Sequence, residues 1–212
     1  RVSEEALRMD FELARKTGVK FVFGADEAYN IAELKEKYDF VIIATGAWAA
    51  GGCPVKEGGE HLTDALEFLE RSKACGCETD LGQNVAVIGG GDVAMDCARA
   101  AKRSPGIRKV SIVYRRTREF MPAQEEEIGM ALREGIEFLE LLAPVSYDGK
   151  TLVAERMALG EAGADGRRKP VPTGATMRLP FDTVISAVGA RVDTEALRRG
   201  GLETGEGGYA AL

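Results

Sequence analysis

"VAVIGGGDVAMD", residues 85–96, is the stretch on which the fold turns. Its first four residues are apolar without a break, as in a strand buried on both faces. Three glycines follow, then an Ala-rich run at helical spacing that extends to about Arg103. In this G-x-G-x-x-A arrangement Gly89 permits a tight turn and Gly91 lets the backbone approach a pyrophosphate. Ala94, in the third position, is small enough for the helix to lie on the sheet. The N–H groups that open such a helix have no intrahelical acceptor and face an anion. A turn at Ser104, Pro105 and Gly106 leads into "KVSIVY", residues 109–114, a second strand. This β-loop-α-β order predicts a parallel α/β sheet of Rossmann-like type.

The end of that second strand carries the choice of nucleotide. A domain selecting NAD or FAD places Asp or Glu there, roughly twenty residues beyond the glycines, to bind the ribose hydroxyls. Here "IVYRRTREF", residues 112–120, places Arg115 and Arg116 instead, with Arg118 close by. A guanidinium makes charge-assisted bonds to a 2′-phosphate worth about 1.5–3 kcal/mol each, which favours NADP(H). The candidate cofactor-binding residues are therefore Gly89, Gly90, Gly91, Asp92, Val93 and Ala94, with Arg115, Arg116 and Arg118. Two exposed arginines at a strand end are the alternative reading.

Moving outward, Pro122 at a first helical position and the acids Glu125, Glu126 and Glu127 in a first turn predict another helix. "IEFLELL", residues 136–142, follows as a strand. Hairpins come next, with a tight turn at Asp148 and Gly149 and a longer tip in "GEAGADGRRK", residues 160–169. The basic residues of that tip read as a solvated loop. Before the glycines, "EEALRMDFELARKTG", residues 4–18, predicts a helix ending at Gly18, "VKFVF" a strand and "IAELKEKY" a short helix. Residues 62–71 form an amphipathic helix between linkers. "YDFVIIATGA", residues 38–47, reads as a buried strand with a Gly turn, and "FDTVISAVGA", residues 181–190, repeats its pattern.

Composition removes several function classes. The 212 residues are 45% hydrophobic and 29% charged, as in a globular protein. With a net charge of −6 and basic residues dispersed among acids, the runs at 115–116 and 167–169 being short, nucleic acid is not expected as a partner. No apolar run is long enough to cross a bilayer and no signal peptide is recognisable, so neither a membrane nor export is expected and the cytoplasm is the default location. Cys53, Cys75, Cys77 and Cys97 fit neither a zinc nor a four-cysteine cluster spacing. With His61 the single histidine, Cys-His and Ser-His catalysis have little to draw on. No tyrosine has a lysine four residues on, and Pro144 stands where a P-loop ending at Gly149-Lys150-Thr151 needs its first glycine. No catalytic or metal-binding side chain is nominated.

The run "VAVIGGGDVAMDCARAAKRSPGIRKVSIVYRRTREFMPA", with "DTVISAVG" and "YDFVIIATGA", resembles the NADPH:flavin oxidoreductase module of the glutamate synthase small subunit family. "RSPGIRKV" and "ALGEAGADGRRKPVP" resemble its selenate reductase branch. The resemblance implies an NADP domain inserted into an FAD domain, with the chain crossing between them at the two Gly-turn strands. Residues 1–82 would be a partial FAD-domain remnant and linker whose beginning lies upstream of Arg1. Residues 83–191 would be the NADP-binding Rossmann-like domain with a parallel sheet and β-meander, and 192–212 the return to the FAD domain. Ala187, Val188 and Gly189 would lie beside the nicotinamide. Hydride would pass from NADPH to FAD, then to iron–sulfur clusters elsewhere in the polypeptide or to a catalytic partner subunit. The FAD site being incomplete, the chain alone is expected to be inactive. A non-catalytic NADP-sensing or interaction module is the alternative.

Overall fold

The computed structural model describes residues 2–25, 30–76, 79–163 and 166–205. The chain divides into two units, Arg1–Thr45 with Asp193–Leu212, and Gly46–Val192. The first contains α1 (Glu4–Lys16) and α2 (Ile31–Lys37). The second runs through β1 (Ala49–Ala50), β2 (Thr63–Asp64), α3 (Ala65–Ala74), β3 (Asn84–Ile88), α4 (Asp92–Lys102) and β4 (Lys109–Tyr114). It continues with α5 (Glu125–Arg133), β5 (Glu137–Glu140), β6 (Leu142–Tyr147), β7 (Thr151–Ala162), β8 (Arg168–Pro180), β9 (Thr183–Ser186) and β10 (Ala190–Arg191). Helix α6 (Thr194–Arg199) belongs to the first unit again.

In the larger unit five strands form a parallel sheet in the order β2-β9-β3-β4-β5. Successive side chains of β3 point to opposite faces, as the period of a strand requires. Val85 and Val87 join a core with Ala94, Met95 and Ala98 of α4 and Phe68 of α3. Ala86 and Ile88 join a second core with Val113, Val184, Leu152 and Tyr147, where the antiparallel sheet β6-β7-β8 covers the other face. The sheet is apolar on both faces because both are covered. A fully buried side chain such as Phe68 contributes about 1.5–3 kcal/mol.

Helix α4 is fixed laterally by Arg99, whose Nη1 and Nε lie 3.0 Å from Glu127 and 2.9 Å from Glu134 of the α5 region. At the margin of the unit β1 pairs antiparallel with β10, Ala49 opposite Arg191 and Ala50 opposite Ala190. Among the described residues no helix is long and apolar enough to cross a membrane.

Several local expectations need correction. The helix placed at 62–71 starts at Ala65, because Asp64 caps it, its Oδ1 accepting from the N–H groups of Leu66 (2.9 Å) and Glu67 (3.2 Å). Thr63 and Asp64, expected within that helix, pair instead with Ile185 and Ser186 as an edge strand. Pro122 lies outside α5, which starts at Glu125 after Gln124. "VKFVF" and "YDFVIIATGA" form no strand, and Phe40 and Ile42 are each 89% exposed. Their β-branched and aromatic residues suit a sheet, but a strand exists only when a partner satisfies its backbone groups. The described part of the smaller unit supplies none.

What that unit holds is its capped helices. Ser3 caps α1 and Asn30 caps α2, while Asp193 caps α6 through N–H groups of Glu195 and Ala196 at 3.0 Å each. The N–H of Ile31 donates to the carbonyl of Gly200 at 3.0 Å, and Phe11 and Phe21 lie with ring centroids 4.7 Å apart.

Candidate functional site

At the carboxyl ends of β9, β3 and β4 the larger unit opens into a cleft of about 870 Å³. This is where open α/β sheets bind ligands. Its floor is the turn from β3 into α4, and the three glycines there answer to different demands. Gly89 has φ +147°, and a Cβ on it would collide with the carbonyl oxygen of Ala187. A Cβ on Gly90 would meet the Tyr114 ring at 2.6 Å, and that ring is held by its hydroxyl donating to the Phe120 carbonyl at 3.0 Å. Gly91 differs. Its φ of −94° and ψ of 177° suit any residue, and a Cβ there would find only Pro122 Cγ, at 3.9 Å. The protein itself demands glycine at 89 and 90, whereas at 91 the space is left open toward the cleft.

Gly91 caps α4 without a side chain, so the first N–H groups of the helix, with the positive end of its dipole, are presented to the cleft. Asp92 and Val93 line the cleft. The Asp92 carboxylate is already engaged, accepting from the N–H of Gln124 at 2.9 Å, and so fixes the segment behind the turn. Ala94 is fully buried under the helix rather than in the cleft, as its small size allows.

Strand order spreads the remaining residues to either side. Neighbouring strands lie about 4.8 Å apart, so Ala187, Val188 and Gly189 after β9 and Arg115 and Arg116 after β4 stand about 10 Å apart across the glycine turn. All five line the cleft. An elongated molecule with a central diphosphate fits that layout. Arg115 is exposed and makes no hydrogen bond or ion pair among the described residues. Arg116 donates from Nε to the carbonyl of Arg168 at 2.9 Å. Arg118 does not line the cleft: its guanidinium lies 5.7 Å from the Phe138 ring centroid and 3.9 Å from Glu140. The sequence reading of Arg118 as a cofactor ligand has no support in this placement.

Several lining residues were not legible in the sequence. Asp64, Cys53 and Arg191 reach the cleft, and so does Arg167, which the sequence reading left on a solvated hairpin tip. The signal for Arg167 was the arginine run itself, but only the fold of the hairpin shows where it goes. Cys97 is buried, and burial, reinforced by the charges of Asp96 and Asp64, pushes its thiol up to about 12. The Asp96 carboxyl is also raised, by burial first and then by Glu127. Cys77 lies outside the described residues. Among those described, no group of three or more His, Cys, Asp or Glu side chains could hold a metal ion.

The model of the pyridine nucleotide-disulphide oxidoreductases matches residues 4–212. The oxidoreductase YgfK of Escherichia coli (strain K12) is 39% identical over 211 residues, which is 99% of this chain and 20% of that protein. The glutamate synthase (NADPH) small chain of Azospirillum brasilense is 36% identical over 177 residues, 76% of this chain and 36% of that protein. The chain thus spans only a minor part of these relatives. Mycobacterium tuberculosis FprA in complex with NADPH superposes with a TM-score of 0.62 at 23% identity, over 76% of this chain and 52% of that one, and shares its fold.

Proposed function

The chain belongs to the pyridine nucleotide-disulphide oxidoreductase family, and on that footing we propose that its larger unit binds NADP(H) and presents the nicotinamide to FAD in the full-length protein. The observation that carries this reading is the pairing of an open Gly91 with an Arg115, just past the end of the next strand, that has no partner among the described residues. The glycine turn and the start of α4 would hold the diphosphate by backbone N–H groups. Arg115 and Arg116 would take the 2′-phosphate by charge-assisted bonds. Ala187, Val188 and Gly189, small and on the far side of β3, would let the nicotinamide lie flat against backbone.

FAD, when bound, supplies the hydride acceptor, and such a transfer needs placement more than acid–base chemistry. The cleft of this chain accordingly contributes orientation, not a proton donor. A thiol route is not part of the proposal, since the sequence carries no Cys-x-x-Cys pair to pass electrons as a dithiol.

In this reading the segments flanking 46–192 are pieces of the FAD domain. Electrons leave the flavin for iron–sulfur clusters elsewhere in the polypeptide or for a partner subunit, and the chain Arg1–Leu212 alone binds NADP(H) without turnover. The "RSPGIRKV" turn and the β7–β8 hairpin favour the selenate reductase branch. Calorimetric titration of the full-length protein with NADPH and NADH tests the central point. NADPH should bind at least ten-fold more tightly, and equal affinities would overturn the assignment.

A further inference from the structure

Resting on that reading of the cleft, we propose that Arg167, beside the tip of the β7–β8 hairpin, is a further specificity-determining residue that binds the 2′-phosphate together with Arg115 and Arg116. The three arginines line one cleft but come from two elements, the end of β4 and the hairpin. The two elements are tied together where they meet. Arg116 Nε donates to the carbonyl of Arg168 at 2.9 Å, so the backbone next to Arg167 is anchored to the end of β4.

The hairpin is braced behind this anchor. Arg168 donates from Nε to the carbonyl of Gly160 at 2.8 Å, and the N–H of Gly163 donates to the carbonyl of Arg167 at 2.8 Å. Of the two neighbouring arginines, Arg167 is the one that lines the cleft.

A phosphate monoester offers three terminal oxygens and carries close to two negative charges, more than one strand end can surround. Arg115 and Arg116 approach from β4, while Arg167 approaches from the hairpin and closes the set from a different element. Among the described residues, the acids that line the cleft, Asp64 and Asp92, stand at the β2 end and at the α4 start, not at this end. Because Arg116 uses Nε on a backbone carbonyl, ligand and hairpin share one guanidinium. The phosphate site therefore depends on the hairpin being in place.

The test compares 2′,5′-ADP with 5′-AMP, two ligands that differ by the 2′-phosphate, by calorimetry on the full-length protein. The wild type should bind 2′,5′-ADP the more tightly. Arg167→Ala should weaken 2′,5′-ADP about ten- to hundred-fold and leave 5′-AMP within about two-fold. Lys169→Ala, two residues on in β8 and outside the cleft lining, should change neither. If Arg115→Ala loses the preference and Arg167→Ala keeps it, the role of Arg167 is overturned while the NADP(H) reading stands. If the wild type binds both ligands equally, the NADP(H) reading itself fails and the proposal falls with it. Competition by inorganic phosphate alone at the same affinity as 2′,5′-ADP would overturn it too, since the arginines would then form a free-anion site.

Discussion

The carbonyl oxygen of Ala187 occupies the place that a side chain on Gly89 would need. The contact joins the ends of β9 and β3 at the floor of the cleft, where the N–H of Ala187 also donates to the carbonyl of Ile88 at 2.8 Å. It separates Gly89, which the fold requires, from Gly91, where the fold leaves room for a side chain. Gly89→Ala combines a positive φ with an overlap against backbone and should cost about 2–4 kcal/mol. Gly91→Val meets neither obstacle. It should leave Tm within a few degrees of wild type and weaken NADPH at least ten-fold, because the branched side chain fills the space left for the diphosphate. Melting curves and a binding titration on both variants check this; a Gly91→Val protein that binds NADPH normally would show the turn has been misassigned.

Arg115 has no protein partner to lose among the described residues, so Arg115→Ala should scarcely alter stability. Loss of its charge-assisted contacts at about 1.5–3 kcal/mol should weaken NADPH by about ten- to hundred-fold, with NADH affinity nearly unchanged. Parallel titrations with the two nucleotides measure the difference. An equal loss for both would place Arg115 on the diphosphate instead.

Asp182 accepts from the N–H groups of Gln83 and Asn84, both at 2.8 Å, and so closes the start of β3 against the segment before β9. These bonds hold its carboxyl below the usual 3.8. A group whose folded pKa is depressed stabilises the fold above its unfolded pKa, and that stability is lost as pH falls through the folded value. Asp182→Asn should therefore lower Tm at pH 7 by a few degrees, on the order of 1 kcal/mol after screening of this exposed carboxylate. The gap should close below pH 4, as both proteins come to carry a neutral side chain. A difference in Tm that is constant from pH 7 to pH 3 would refute the electrostatic account.

Cys97 should resist alkylation in the native state. Its side chain is fully buried and its thiol is pushed up to about 12, so thiolate is scarce at pH 8. After iodoacetamide treatment at pH 8, mass spectrometry should find Cys53 and Cys75, both exposed, modified and Cys97 intact. Denaturant should expose it. Labelling of native Cys97 at the rate of Cys53 would contradict its burial.

The strand, glycine turn and helix at 84–102 were legible because each local signal there agrees with the tertiary result. An apolar run buried on both faces, a turn that demands glycine at 89 and 90, and a helix of small residues each point to the same unit. The segments 19–23 and 38–47 were misread for the converse reason: their composition reports a preference for pairing, and pairing depends on neighbours that sequence spacing does not reveal. Arg118 and Arg167 mark the same limit at the site. Arg118 sits near the two arginines in sequence yet turns to Phe138 and Glu140, whereas Arg167 is remote in sequence and is delivered by a hairpin. Capping also moved boundaries, as Asp64 did for α3.

The pairing of Ala49 and Ala50 with Arg191 and Ala190 has a consequence for how this polypeptide can be edited. Partners in an antiparallel ladder stand only about 5 Å apart at Cα, so the points where the chain enters and leaves the larger unit are neighbours. To the rest of the polypeptide, everything between them occupies the place of a hairpin turn. A unit with adjoining ends can be excised and bridged by a few residues, or transplanted into a tight turn of another protein, without prising the host's ends apart. Such modularity makes the unit and its cleft a cassette, exchangeable as a whole between hosts.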